Sequence, residues 1–293
     1  MDETGIRTLD APRCHLGEGP SYYPATGTAR WLDILERRLF EIPLDGTGPA
    51  LTHTLPFMAS AIAAVDPGRI LLAAEDGLYL RDLRDGTLTL HGPLEADDPG
   101  TRSNDWRVHP CGALWIGTMG RDAEPGRGAI YHVAGTTVTR LYANLTIPNA
   151  ICFSPDGASG YFVDTDEGLL RRVALDSATG LPVAEPATLY DHRGGAGGID
   201  GAAVDADGLI WSARWGAACI DAYSPAGERV RSLPVPASRP SCPTFAGRGL
   251  DRLLVTSAWE GMDAAERAAD PGHGLTFLLD PGTRGPLEPA FRP

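Results

Sequence analysis

Oxygen-bearing side chains recur along this chain at one spacing. Asn104, Asn149 and Asp200 each stand eight residues before a turn glycine, Gly112, Gly157 and Gly208, and Glu18 stands nine before Gly27. Ser60 and Ser241 stand eight before Gly68 and Gly249. If the segments are repeats, equal offsets put these six side chains at equivalent points, converging as a ring. Gathered carboxylates repel one another, and buried without a partner they are costly. A divalent cation relieves that cost. Carboxylate and carboxamide oxygens are hard ligands, suited to Ca2+, Mg2+ or Mn2+, with Zn2+ tolerated. In HLGEGPSYYP, residues 15–24, Gly17 and Gly19 flank Glu18 and let the backbone bend sharply to bring the carboxylate to such an ion. Taken singly, Asn149-Ala150 and Asp200-Gly201 are ordinary turn pairs; agreement across four segments argues for a site.

The elements that must position these residues follow from the same glycines. Each of the six closes a turn signal and precedes an apolar run, as in VHPCGALWIGT, FSPDGASGYFVD and VDADGLIWSAR. Successive marker glycines lie 41, 44, 45, 51 and 41 residues apart, the period of four-stranded propeller blades. Gly (36) and Pro (25) are scattered along the 293 residues rather than clustered, which favours many short strands. DAAERAAD, 263–270, is the one short helical candidate, and GIRTLDA, 5–11, reads as a strand that closes the last blade. The expectation is an all-β, six-bladed β-propeller forming a single domain over 1–293.

Several function classes are excluded. A net charge of −13 offers nothing to neutralise phosphates, so no nucleic-acid partner is expected. The five cysteines lack any C-x-x-C pair and the histidines lack H-x-H or H-x-x-x-H, which argues against disulfides and zinc sites of those types. No G-x-S-x-G elbow and no glycine-rich phosphate loop is present. MDETGIRTLD has no secretory pattern and no apolar run reaches membrane-spanning length, so a cytoplasmic protein without a membrane partner is expected. A monomer or weak homo-oligomer is consistent with the charge. Trp115 and Trp211, each three residues after a marker glycine, belong in the core; Trp215 and Trp259, just after strands, are candidates to line a pocket.

Four segments carry a resemblance: LGEGP (16–20), RSNDWRVHPCGALWIGTM (102–119), PNAICFSPDG (148–157) and IDGAAVDADGLIWSA (199–213). Together they resemble the senescence-marker-protein, gluconolactonase and luciferin-regenerating-enzyme family, from about residue 13 to the C-terminus. The resemblance implies a six-bladed propeller with one divalent metal, calcium or zinc, and hydrolysis of a sugar lactone. It implies Glu18, Asn149 and Asp200 as metal ligands, Arg102 and Asn104 as substrate-binding residues, and Asp105 as their support. The chain departs from the family pattern at Trp106 and Ala150, where the family usually has glycine. It departs also at Ile199, where the family has P-D-G, and at His273-Gly274 in place of a glycine pair.

Lactone hydrolysis passes through a tetrahedral oxyanion, which a cation stabilises. Asp200 is expected to act as the base toward water, with Glu18 its rival. Glu124, in GRDAEPGRG, is a further substrate-binding candidate. Two other readings fit the scaffold: a calcium-dependent phosphotriesterase or arylesterase, and a metal-binding propeller without catalysis.

Overall fold

Turn chemistry cuts the chain into meanders. Aspartates of the turns accept backbone N–H bonds two residues on: Asp66 from Gly68, Asp156 from Ala158, Asp205 from Asp207. Four of the six marker glycines, Gly27, Gly112, Gly157 and Gly208, have positive φ. Such turns return each strand antiparallel to the one before.

The structure, a computed structural model, describes residues 5–46 and 48–293. It is all-β, of the six-bladed β-propeller class, with six four-stranded antiparallel sheets numbered here as blades in chain order. The chain divides into two compact units.

The first unit comprises the chain up to Pro56 and Gly195–Leu287, and holds blades 1, 5 and 6. Blade 1 runs Gly17–Tyr23, Thr28–Asp33, Arg38–Pro43 and Leu51–Thr54. Blade 5 runs Gly198–Val204, Ile210–Trp215, Cys219–Tyr223 and Arg229–Pro234. Blade 6 has Pro240–Ala246, Arg252–Ser257 and Phe277–Leu279, and its fourth strand is Arg7–Thr8, pairing with Leu278 and Phe277. The closing strand expected in GIRTLDA is therefore present. The expected helix is Ala264–Ala269, begun by an Asp263–Glu266 capping box.

The second unit comprises Phe57–Gly194 and Glu288–Pro293, and holds blades 2, 3 and 4. Blade 2 starts with Ala59–Asp66 and Arg69–Ala74, blade 3 with Thr101–Val108 and Leu114–Gly120, and blade 4 with Pro148–Phe153 and Ser159–Asp164. Within this unit the C-terminal residues are an unforeseen element. Phe291 is 1% exposed and joins the blade 2–3 core; its N–H donates to Ala64 and that of Arg292 to Gly112. Arg107 pairs with Glu288.

Burial falls from first strand to last. Pro148–Phe153 and Thr28–Asp33 are buried at every residue, whereas Arg229–Pro234 is almost wholly exposed. Strands buried on both faces lose the usual alternation. Trp115 and Trp211 are fully buried, each indole N–H bonded, to Gly180 O and Asp205 Oδ2. The five cysteines are free thiols. No helix among the described residues is long and apolar enough to cross a membrane.

Candidate active site

Every first strand is broken at one level by a register shift against its second strand, and the predicted ring residues sit at that break. Glu18 pairs with Leu32 and the next pair is Ser21–Arg30; Asn149 pairs with Val163 and the next is Cys152–Tyr161. In blades 3 and 5 the residue before pairs instead, Ser103 with Thr118 and Ile199 with Arg214, so Asn104 and Asp200 are themselves the first bulged residues. Equal offsets therefore concealed a one-residue difference. Glu18 and Asn149 are the last paired residues before their bulges.

Backbone conformation follows this division. The residues after Glu18 and Asn149 are left-handed, Gly19 at φ 58 and Ala150 at φ 52. Gly19 takes that conformation freely, while Ala150 bears a penalty of about 1–2 kcal/mol. The glycine that the resemblance leads one to expect after Asn149 would relieve it. Gly17 serves close approach: a Cβ there would lie 2.5 Å from the Ser257 carbonyl oxygen.

In the second unit three of the predicted residues come together. Arg102, 7% exposed, donates from Nη1 to Asn104 Oδ1 at 2.9 Å. Asn104 Nδ2 donates to Asn149 Oδ1 at 3.0 Å and to Pro148 O at 3.1 Å. Asn149 Nδ2 donates to Thr165 Oγ1 at 3.0 Å. The Asn104 amide thus links Arg102 to Asn149 and fixes which way the Asn149 oxygen faces. Thr165, which completes this orientation, carried no sequence signal. Glu124 is half-buried; its Oε2 accepts from the Asp122 N–H at 3.1 Å and lies 2.2 Å from where a Gly120 Cβ would be. Gly120 pairs with Thr101, so Glu124 reaches the Arg102 end of blade 3. Trp106, by contrast, packs in the blade 2–3 core at 3% exposure, which explains how this chain carries a large residue where the family has glycine.

Asp105 ties the Asn104 bulge to that of blade 4. Its Oδ2 accepts from the Ile151 N–H at 2.7 Å, while Oδ1 is buried without a hydrogen-bond partner. Burial pushes its pKa up to about 6, with Arg107 and the Ile151 and Trp106 N–H groups opposing. A raised native pKa means the Asp105 contribution to stability is present below its ordinary value of 3.8 and is lost as pH rises through about 6. The span is roughly 3 kcal/mol. Asp105→Asn should therefore gain stability relative to the parent by a few kcal/mol from about pH 4 to about pH 8, read by urea unfolding. A difference constant with pH contradicts this.

The first unit holds the two carboxylates. Glu18 is half-buried and Asp200 is 7% exposed; each accepts from the next N–H, Gly19 to Glu18 Oε2 at 3.2 Å and Gly201 to Asp200 Oδ1 at 3.0 Å. The serines of the expected ring have other work. Ser241 donates to Gly17 O, joining the first strands of blades 6 and 1; in the second unit Ser60 donates to Ser103 Oγ at 2.8 Å. They are joints between strands. Trp259 is stacked by His15 at 3.7 Å between centroids and carries Arg267 at 4.9 Å, and Trp215 lies under Arg239 at 5.7 Å.

The donor chemistry fits a hard divalent cation. An amide oxygen has two lone pairs and Asn104 engages one on Asn149, which leaves the other for an ion. Each carboxylate accepts the N–H of the residue that follows it, and carboxylate oxygens are hard donors of the kind such an ion takes. Among the described residues no three His, Cys, Asp or Glu side chains cluster so as to hold a metal ion.

Residues 16–259 match the family described as SMP-30/Gluconolactonase/LRE-like region. The chain is 56% identical over 286 residues to a protein of Rhizobium meliloti (strain 1021) named "Putative sugar lactone lactonase", covering 98% of this chain and 97% of that one. It is 31% identical over 280 residues to the 6-deoxy-6-sulfogluconolactonase of Pseudomonas putida, covering 94% of each. Its fold is similar to the crystal structure of a calcium-binding protein, regucalcin, from Agrobacterium tumefaciens. There the TM-score is 0.95 at 51% identity, over 98% of this chain and 97% of that one. The chain belongs to the SMP-30/gluconolactonase/LRE-like family.

Proposed function

We propose that the protein hydrolyses a sugar lactone to the aldonic acid, using one divalent cation held by Glu18, Asn149 and Asp200. The observation that carries this reading is the Arg102–Asn104–Asn149 chain: an arginine suited to substrate oxygens is linked, through the Asn104 amide, to a residue with a hard oxygen donor. When bound, the cation supplies Lewis-acid polarisation of the lactone carbonyl.

The chain's own residues do the rest. Asp200 accepts a proton from the attacking water as its oxygen adds to the carbonyl carbon. The ring C–O bond then breaks, and the ring oxygen takes that proton from Asp200 and leaves as a hydroxyl, which returns Asp200 to its carboxylate form. Arg102 presents a fork of donors to substrate oxygens, and Asn104 holds both Arg102 and Asn149 in place. Glu124 accepts from a sugar hydroxyl at the same end of blade 3. The names of the lactonase relatives support the substrate class.

A pH-stat assay over a panel of aldonolactones, with and without chelator, tests this. Hydrolysis that chelator abolishes and Ca2+, Mg2+, Mn2+ or Zn2+ restores is expected. The calcium-binding description of the regucalcin neighbour favours a second reading, a metal-binding protein without catalysis. Metal binding with no turnover of any lactone would favour that one.

A further inference from the structure

In the three blades that carry the proposed metal-holding residues, a charged side chain pairs with the residue just before each of them, although Arg214 stands one rung nearer its bulge than Asp33 and Asp164 do. Asp33 pairs with Gly17, the residue before Glu18; Asp164 pairs with Pro148, the residue before Asn149; Arg214 pairs with Ile199, the residue before Asp200. In blades 2, 3 and 6 the corresponding partners of Ala59, Ser103 and Pro240 are Ala74, Thr118 and Ser257, none of them charged.

Each of the three ties down the segment that leads into its bulge. Asp33 accepts from the N–H groups of His15 at 2.9 Å and Leu16 at 3.2 Å. Asp164 accepts from those of Thr146 at 2.7 Å and Ile147 at 3.0 Å. Arg214 acts with opposite polarity: it donates from Nε to Gly198 O at 3.3 Å and from Nη2 to Ala196 O. Its remaining nitrogen, Nη1, donates to Asp221 Oδ2 at 2.9 Å and Tyr223 OH at 3.0 Å on the third strand of the same blade. A planar fork fixed at one end by a buried carboxylate holds the approach to Asp200 at the other.

Blade 5 needs this tie most. The approach is Arg193-Gly194-Gly195-Ala196-Gly197-Gly198, with Gly194 at φ 78 and Gly197 at φ 65. Glycine-rich chain is entropically expensive to order. Asp200 itself lies in the bulge, where the cross-strand ladder lapses. Stability alone does not call for the arrangement, because a buried ion pair such as Arg214–Asp221, 2% and 1% exposed, is often replaced by apolar residues without loss.

We propose that Arg214 is a positioning residue for Asp200, holding the 196–198 carbonyls so that the carboxylate is preorganised for the ion and for water. This rests on the reading of Asp200 given above.

The test compares Arg214→Lys and the double variant Arg214→Met/Asp221→Leu, which removes both buried charges together. Both should stay folded, the double variant within a few degrees of the parent Tm. In the double variant kcat should fall about tenfold to a hundredfold while KM changes little, the mark of lost preorganisation. Its metal affinity, by calorimetry with Ca2+, should weaken about tenfold. In metal-free protein the amides of residues 196–201 should exchange faster with deuterium. Arg214→Lys keeps the charge beside Asp221 but cannot bridge both carbonyls, so it should show the same changes to a smaller degree, and it carries the test if the double variant unfolds. Unchanged kcat together with unchanged exchange at 196–201 overturns the proposal. Should Asp200→Asn itself keep full activity, the reading of Asp200 fails instead. An inactive Asp200→Asn beside a fully active double variant refutes the positioning role alone.

Discussion

Asp200→Asn should lower kcat/KM for the lactone substrate by about 10³-fold or more while the protein stays folded. The substitution keeps an oxygen that can accept from the Gly201 N–H, the 3.0 Å bond of the bulge. It removes the negative charge and the capacity to take a proton from water. General-base catalysis is typically worth about 10²–10⁴-fold, and a lost anionic ligand adds to this. Because the base is gone, raising the metal concentration should not restore the rate. Steady-state kinetics with circular dichroism as a fold check decides the matter. A rate within about tenfold of the parent refutes the assignment and promotes Glu18 to base.

Glu18→Gln should behave differently. Of the three proposed ligand residues Asn149 is neutral, so Glu18 and Asp200 supply all the negative charge that balances a divalent ion. Replacing one carboxylate by an amide leaves one positive charge uncompensated in a half-buried site, and oxygen-ligand sites tune affinity through ligand charge count. An affinity loss of about a hundredfold is expected, with activity mostly recovered at saturating metal because the amide oxygen can still coordinate. A metal titration of the reaction rate reads this directly. Loss of rate that no metal concentration recovers contradicts the ligand-only role of Glu18.

Much of the fold was legible because propeller turns leave a covalent trace. A glycine or an aspartate at each hairpin marks the repeat and yielded six blades, while GIRTLDA and DAAERAAD marked the closing strand and the short helix. The level of the strand bulges was legible to within one residue. Counting back from the glycines found Glu18, Asn104, Asn149 and Asp200, but the hairpin after Phe153 spans one residue more than that after Val204. Phe153 pairs with Gly160, whereas Val204 pairs with Ile210. That extra residue follows Gly157; the displacement of Asn149 by one rung arises before it, because two paired residues, Cys152 and Phe153, separate its bulge from the turn, against three, Ala202, Ala203 and Val204, in blade 5. The two serines were over-read for a related reason. Offset places a residue at a level in its strand, and says nothing of whether a neighbouring strand already claims its hydroxyl, as Gly17 O claims that of Ser241.

Other features depend on contacts that no local pattern records. Thr165 meets Asn149 across 16 residues, and Phe291 reaches Ala64 from the far end of the chain. Arg214 reads in the sequence as one more strand residue, and its proposed role rests on bonds to Ala196 O, Gly198 O and Asp221 that only the folded chain brings together. Trp106 stands out in the sequence only as a departure from the family's glycine. The two-residue bulge sends it into the core instead.

The most direct measurement of the central claim is bound metal per chain, by elemental analysis after chelation and re-addition of one divalent ion. The parent should retain one ion per chain, and Glu18→Ala, Asn149→Ala and Asp200→Ala should each retain almost none while remaining folded. Full retention by any one of the three variants, or a parent that hydrolyses lactone at full rate with no metal present, would contradict the account.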